Sequence, residues 1–461
     1  MAMIPILMTG VIAATDKKAD SPNPLLAEWK TPHGTPPFEQ IKTEHFVPAV
    51  ERALKIAKNG VDAIINNQAA PSFENTILAL ELNGKELGRI VSVLMNLNSS
   101  LTSKALQQVI MTLLPKYMQY QNYISLNPRL FDRIKAVYTQ KDKLKLEPDQ
   151  LKLLENAYKG FVRSGANLKG EQKKAYQKIT TELAQLGQMF QKNVLADTNA
   201  YALHITDKKD LAGLPERAIE AAALLARQKK RKGWMFNLQM PSFSPFMRYA
   251  DNRTLRKEIT IAYGSRGFRN NKNNNSKLVK RITELRMKLA NLLGYKTYAH
   301  YVLEERMALS PERVAGFLND LHNAALPYAK KDLAELTAFA KTKGFNTTFQ
   351  SWDQAYYSTK LKAERFGFKD EQIRPYFELS RVKKGIFDLA TKLFGLTFKK
   401  NDKIQVYHKD VEAVEVYNAD GSFVGVLYLD FFPRESKRAG AWSSGFRSQS
   451  NVNGTFVHPL R

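Results

Sequence analysis

The chain has 461 residues, enough for a large core and for two or three domains. It holds no cysteine, which excludes disulfides, thiol catalysis and cysteine-ligated zinc or iron–sulfur centres. The 70 Lys+Arg against 44 Asp+Glu leave a formal charge of +26, a balance compatible with nucleic acid, an anionic membrane surface, acidic peptides or simply a basic solvated surface.

The first residues, MAMIPILMTGVIAATDKKAD, carry an apolar run from Met3 to Ala14, with Val11-Ile12-Ala13 placed like the approach to a signal-peptidase cut. A secretory signal also has a positive leading region, and no Lys or Arg precedes Lys17. Residues 1–22 are read as an export signal called from a late start codon, with a disordered apolar tail as the alternative. They are excluded from the fold. Export is the favoured localisation and the cytoplasm the other. No stretch reaches the roughly 18 apolar residues of a membrane helix.

From Asn23 to Ile41 the chain reads as extended, because Pro24, Pro32, Pro36 and Pro37 fix their own backbone angles and bias the residues before them. Helical periodicity follows. SFENTILALELNGKELGRIVSVL opens on Ser72 as N-cap. In AYQKITTELAQLGQMFQ, Tyr176, Ile179, Leu183, Leu186 and Phe190 recur at helical spacing and form one apolar face. SPERVAGFLNDLHNAAL has Ser310 at N-cap, Pro311 at N1, and Val314, Phe317, Leu318 and Leu321 on one face. Pro327 is expected to kink or end that helix.

Strand signals are few. Asn199–Asp207 and Gly233–Met240 alternate like strands. VEAVEVYNADGSFVGVLYLDFF predicts a hairpin with Asp420-Gly421 in a type I′ turn. Arg269–Lys277, RNNKNNNSK, reads as a loop. The fold class is therefore mainly α with small β elements. A weakly marked boundary falls near 150–170, dividing an N-terminal extended and helical domain (23–160) from a helical lobe with small hairpins (161–461).

The seven histidines are His33, His45, His204, His300, His322, His408 and His458, and no two stand at i and i+4, so H-E-x-x-H is absent. Two imidazoles one turn apart would offer zinc two ligands on one helix face. His300 and His322 read as hydrogen-bonded structural histidines, and His408 as structural or exposed. Glu304 and Glu305 read as salt-bridged. No G-x-S-x-G, P-loop or G-x-G-x-x-G occurs. No catalytic residue and no metal ligand is assigned from motifs. The densest basic run, Arg227 to Lys232, follows an alanine-rich helix whose C-terminal dipole it complements. Without a nucleic-acid motif or interleaved aromatics, nucleic acid is not the expected partner.

Seven stretches in order carry a resemblance: NPLLAEWKTPHGTPPFEQIKTEHFVPAVERAL, PSFENTILALE, ITDKKDLAGLPE, MPSFSPFMRYADNRTLRKEITIAYGSRG, NLLGYKTYAHYVLEERMA, RPYFELSRVKKGIFDLATKLFG and YLDFFPRESKRAGAW. The chain resembles the zinc metallopeptidases that include thimet oligopeptidase, oligopeptidase A and bacterial peptidyl-dipeptidase, and its proline-rich opening is most like the peptidyl-dipeptidase branch. The resemblance implies a two-lobed helical peptidase architecture, with the second lobe incomplete, around a channel for short unstructured peptides. It implies that zinc is held by an H-E-x-x-H helix and a later glutamate, elements expected beyond residue 461. No zinc ligand carries over to any residue here, so this chain is expected to bind no cofactor and to be inactive alone. Its expected partners are short peptides and a separately encoded C-terminal catalytic fragment. A non-catalytic peptide-binding protein is the alternative reading. A basic nucleic-acid-binding helical protein is a further one. Arg434, Lys437, Arg438 and Trp442, in the glycine-bearing loop after the last strand, are the candidate substrate-binding residues: arginine pairs with a peptide carboxylate, and glycine admits a ligand backbone. The same loop packing against the catalytic part is the bland reading. Helices after Leu309 and the 411–432 hairpin are expected to leave apolar surface and a strand edge uncovered, making the chain marginally stable, aggregation-prone or dependent on a partner.

Overall fold

A computed structural model describes residues 23–452 and 454–461; the export reading of residues 1–22 lies outside them. In chain order the helices are α1 (Phe46–Asn66), α2 (Ala79–Leu82), α3 (Lys85–Ser100), α4 (Lys104–Ser125), α5 (Pro128–Tyr138), α6 (Pro148–Arg163), α7 (Glu171–Ala200), α8 (Glu216–Gln228), α9 (Met240–Tyr249), α10 (Arg253–Gly264), α11 (Ser276–Leu292), α12 (Tyr298–Leu303), α13 (Pro311–Thr342), α14 (Ser351–Phe366), α15 (Asp370–Ile373) and α16 (Leu379–Phe394). The strands are β1 (Ala202–Ile205), β2 (Trp234–Asn237), β3 (Thr397–Lys400), β4 (Glu412–Tyr417), β5 (Phe423–Leu429), β6 (Ser450–Val452) and β7 (Thr455–Val457). The fold is mainly α, with β1-β2, β3-β4-β5 and β6-β7 as small antiparallel sheets. No described helix is long and apolar enough to cross a membrane.

Local expectations are met in some places and revised in others. Ser310 caps α13 by accepting from the Arg313 N–H, with Pro311 at the first position. Pro327 does not end that helix, which runs on to Thr342. The turn around it is exposed, so the Asn323 carbonyl that loses its donor faces water. Ser72 caps as expected, but what it caps is a π-helical turn, Phe73–Leu78, leading into the short α2. Gly84, at φ +74°, then breaks the chain before α3, so the single expected helix is two. At the β4–β5 turn, Asn418 and Ser422 close the loop and the Gly421 N–H donates to the Asn418 carbonyl. Among the loop residues only Gly421, at +83°, has positive φ. That is a three-residue loop with a left-handed glycine, where a type I′ turn would need positive φ at two positions.

The largest core joins distant parts of the chain. Leu25, Trp29 and Phe38 of the proline-rich segment pack with α1, α3, α4, α5 and α6, and Ile404, Ala413, Val426, Phe446 and Leu460 complete the same cluster. His33 stacks on Phe423 at 3.9 Å and its Nε2 lies 2.6 Å from Glu415. Arg447 donates to the carbonyls of His33 and His458. The opening segment is thereby clamped to the β3-β4-β5 sheet. A second core surrounds β1, β2, α9 and α10, a third joins α7 to α11, and a fourth joins the end of α13 to α14. The outer edge of β5 is partly taken by the last residues: Arg461 donates its N–H to Val426, and Tyr428 donates to Arg461.

Candidate functional site

The loop after β5 contains all four candidate peptide-binding residues, and the structure gives them different surroundings. Asp430, at the end of β5, sits at its centre. Arg434 meets it with two bonds, Nη1 to Oδ1 at 2.8 Å and Nη2 to Oδ2 at 2.6 Å. Lys437 Nζ lies 3.0 Å from Oδ1, and Tyr407 donates its hydroxyl to Oδ2 at 2.9 Å. Side-chain exposure is only 10–11% for Asp430, Arg434 and Lys437, so this is a buried cluster of two cations and one anion. Burial pushes the Asp430 carboxyl up, but hydrogen bonds from Arg434, Lys437 and Tyr407 outweigh it and hold the group below its ordinary value. Burial, seconded by Asp430, pushes the Tyr407 phenol up to about 12.

Backbone contacts fix the loop against the helical body. Arg434 Nε and Nη2 donate to the Ser100 carbonyl at the end of α3. The Arg438 N–H donates to Ser99, and the Thr102 N–H to Ser436. Asn199 Nδ2 donates to the Glu435 carbonyl, and Glu435 pairs with Lys229 at 2.6 Å. The α3 end and the α7–α8 region are thus joined through residues 434–438. Lys437 also donates to the carbonyls of Asp430 and Phe432.

Arg438 stands outside this cluster, and Trp442 borders it, with Lys437 Nζ 5.7 Å from its ring centre. The Arg438 guanidinium lies 4.5 Å from the Trp442 ring centre and is exposed. Trp442 lines a cleft of about 430 Å³ with Ser100, Tyr428, Asp430, Phe431 and Lys437. Arg438 borders a smaller hollow with Ser99, Thr102, Gln188, Lys192, Met111 and Leu195. Of the four candidates, Arg434 and Lys437 are committed to Asp430, while Arg438 offers an open cation over an aromatic face. Asp430 itself escaped the sequence reading. The only signal for it is the acidic residue four places before Arg434, a spacing common in any charged chain.

Among the described residues, no three His, Asp or Glu side chains converge to hold a metal ion. His204 bonds the Lys232 carbonyl, His300 bonds Thr297, His408 faces Asp410, and His458 bonds the Val424 carbonyl. His322, expected as a hydrogen-bonded structural histidine, is exposed on α13. Glu304 pairs with Arg163, and Glu305 with Lys159 at 2.6 Å. The zinc implied by the resemblance has no fitting donor set in these residues, and no chemical step is assigned to it here.

A family model described as Peptidase family M3 matches residues 246–460. Oligopeptidase A of Salmonella typhimurium is 36% identical over 443 residues, covering 95% of this chain and 65% of that protein. Oligopeptidase A of Escherichia coli is 37% identical over 424 residues, covering 91% and 62%. Dipeptidyl carboxypeptidase of Escherichia coli is 33% identical over 440 residues, covering 95% and 64%. The chain thus spans just under two thirds of the length of these relatives. Identity to dipeptidyl carboxypeptidase does not exceed identity to oligopeptidase A, so it does not single out the branch suggested by the proline-rich opening. With similarity running along nearly its whole length, the chain belongs to peptidase family M3.

Proposed function

We propose that this chain is the peptide-holding part of a zinc peptidase that cleaves short, unstructured peptides and releases dipeptides from their C-termini. The observation that carries the reading is 33–37% identity to oligopeptidase A and dipeptidyl carboxypeptidase over more than nine tenths of the chain. By itself the chain is inactive, because its residues supply no H-E-x-x-H and no converging ligand set. Arg438 receives a peptide carboxylate, with Trp442 holding the guanidinium in place. Arg434 and Lys437, locked by Asp430, position that loop without touching the peptide. A basic nucleic-acid-binding role would account for the charge but for none of the seven matched stretches.

Two assays on the purified chain test this reading. Incubated with zinc and fluorogenic peptides, it is expected to cleave none; zinc-dependent cleavage by the pure chain overturns the assignment of inactivity. Titration with a labelled pentapeptide is expected to show binding that Arg438→Ala weakens about tenfold or more, the scale of one lost charge-assisted contact. Absence of binding in both proteins, or equal binding, removes Arg438 from the site.

A further inference from the structure

A second cleft, of about 530 Å³, opens between α8, β2, the start of α9 and residues 433–435. Its α8 wall is small and apolar. Ala218, Ala221, Ala222 and Leu225 recur there at helical spacing, which leaves width for a ligand backbone beside the helix. Glu435 is the only carboxylate among the lining residues, and Lys229 holds it at 2.6 Å. On the α9 side, the Gln239 side-chain nitrogen has no hydrogen-bond partner among the described residues. Lys229 and Met235 both line the cleft, so the connection between them, residues 230–234, closes one end of it. That connection is basic and ordered. Lys230, at φ +55°, takes the left-handed cap position of α8, and the Arg231 N–H donates back to the Ala226 carbonyl. Lys230, Arg231 and Lys232 are exposed, and of the four cations from Lys229 to Lys232 only Lys229 is ion-paired among the described residues. The α8 dipole accounts for Arg227 in its last turn, but its reach does not extend to three further cations beyond the cap.

We infer that this cleft binds an extended peptide segment bearing acidic side chains, with its backbone along the alanine face of α8 and a carboxylate against Lys230, Arg231 or Lys232. Three features select that occupant. Unpaired cations at the closed end favour an anionic ligand. A narrow apolar wall facing a free amide donor matches a peptide backbone, whose carbonyl accepts from such a donor. Phe236, the one aromatic ring among the lining residues, is only 1% exposed, so no ring is left for a nucleobase to stack on. The inference rests on the peptide-holding reading above and deepens it by naming acidic peptides as the preferred class. The loop that carries Arg438 forms one wall of the same cleft.

The test titrates the full chain with three labelled octapeptides of one sequence that differ only at two positions, filled by Glu, Gln or Lys. At low salt the Glu peptide is expected to bind at least about tenfold more tightly than the Gln peptide, and the difference shrinks as salt rises. Combining Lys230→Gln, Arg231→Gln and Lys232→Gln removes that preference and leaves the affinity for the Gln peptide within about twofold. Ala221→Trp fills the cleft from an exposed position and weakens all three peptides about tenfold or more, with circular dichroism of the free chain unchanged. Equal binding of the Glu and Gln peptides, a preference that survives the triple substitution, or unaltered binding in Ala221→Trp overturns the inference. Tighter binding of a single-stranded oligonucleotide of equal charge, lost in the triple variant, overturns it as well. Arg438→Ala separates this inference from the reading beneath it. Loss of all binding in that variant, with no charge preference in the wild type, upholds the reading and refutes the acidic class. A charge preference that persists in Arg438→Ala upholds the cleft and removes Arg438. No binding of any peptide refutes both.

Discussion

Asp430 pairs with two cations that the loop sequence alone leaves free. Removing it strands Arg434 and Lys437 in a site where both side chains are about nine tenths covered. Breaking one partner of such a buried set costs about 3–5 kcal/mol, because the remaining charges lose their compensation. Asp430→Ala is therefore expected to lower stability by that amount in urea unfolding, while Tyr407→Phe, which deletes one hydrogen bond, costs about 1 kcal/mol. Asp353 forms a second such set. Its fully buried carboxylate bonds Arg253 at 2.8 Å and the buried Arg256 at 3.2 Å, joining α10 to α14. Burial pushes Asp353 up, yet the Arg253 bond, the Gln350 N–H and Arg256 hold it below its ordinary value. Asp430 behaves alike. A folded pKa below the unfolded one favours the ionised form in the native state. The contribution is present in full above the ordinary value of 3.8 and is lost as pH falls through the lower folded value. The urea midpoint should drop as pH falls from about 4 towards about 2, and less steeply in Asp430→Asn. A pH-independent midpoint over that range contradicts the assignment.

At the scale of elements, glycines and caps decide where the helices and turns fall. Gly421 has φ +83° with open space around it, so an added methyl meets only a backbone penalty. Gly213 has φ +84°, and an added Cβ would lie 2.2 Å from the Tyr249 carbonyl oxygen. Gly421→Ala should cost about 1 kcal/mol, the usual charge for an L residue in the left-handed region. Gly213→Ala should cost clearly more, because backbone atoms must shift. Equal thermal shifts in the two variants would refute the steric argument. The asparagine-rich stretch shows how an element can be organised from outside. Asp197, buried on α7, accepts from the Gly267 N–H and from the side chains of Asn271 and Asn273. Asn275 accepts from Asn193 and donates to the Phe190 carbonyl. A stretch that reads as low complexity is thus a defined loop held by one carboxylate, a role no local pattern encodes.

The whole molecule combines well-filled cores with two uncovered helix faces. The proline-rich opening, the first helices and the last residues share one core, so the two ends of the described chain depend on each other. An environment-sensitive apolar dye should bind the isolated chain at α13 and α16, and residues 311–334 should exchange their amides faster than α1, whose Ala49, Val50 and Val61 are buried. Slow exchange across α13 with no dye binding would show those faces to be covered. The sequence by itself determined the helical class, the long α7 and α13 with the Ser310 cap, and the strands of β1, β2 and the hairpin. Those depend on periodicity, caps and turn residues within a few positions of one another. It also carried the M3 family in seven ordered stretches, and the absence of the i, i+4 histidine pair. Only the tertiary structure decided that Arg434 and Lys437 are buried against Asp430 while Arg438 stays open. It alone placed Asp197 and Asp353 as hubs, let α13 continue through Pro327, and showed which apolar stripes are covered. The reason is physical: burial depends on partners distant in the chain, as in His33 with Glu415 or Ser100 with Arg434, and no local spacing specifies such contacts, so even the short-range pair of Asp430 and Arg434 could not be read as buried from its spacing.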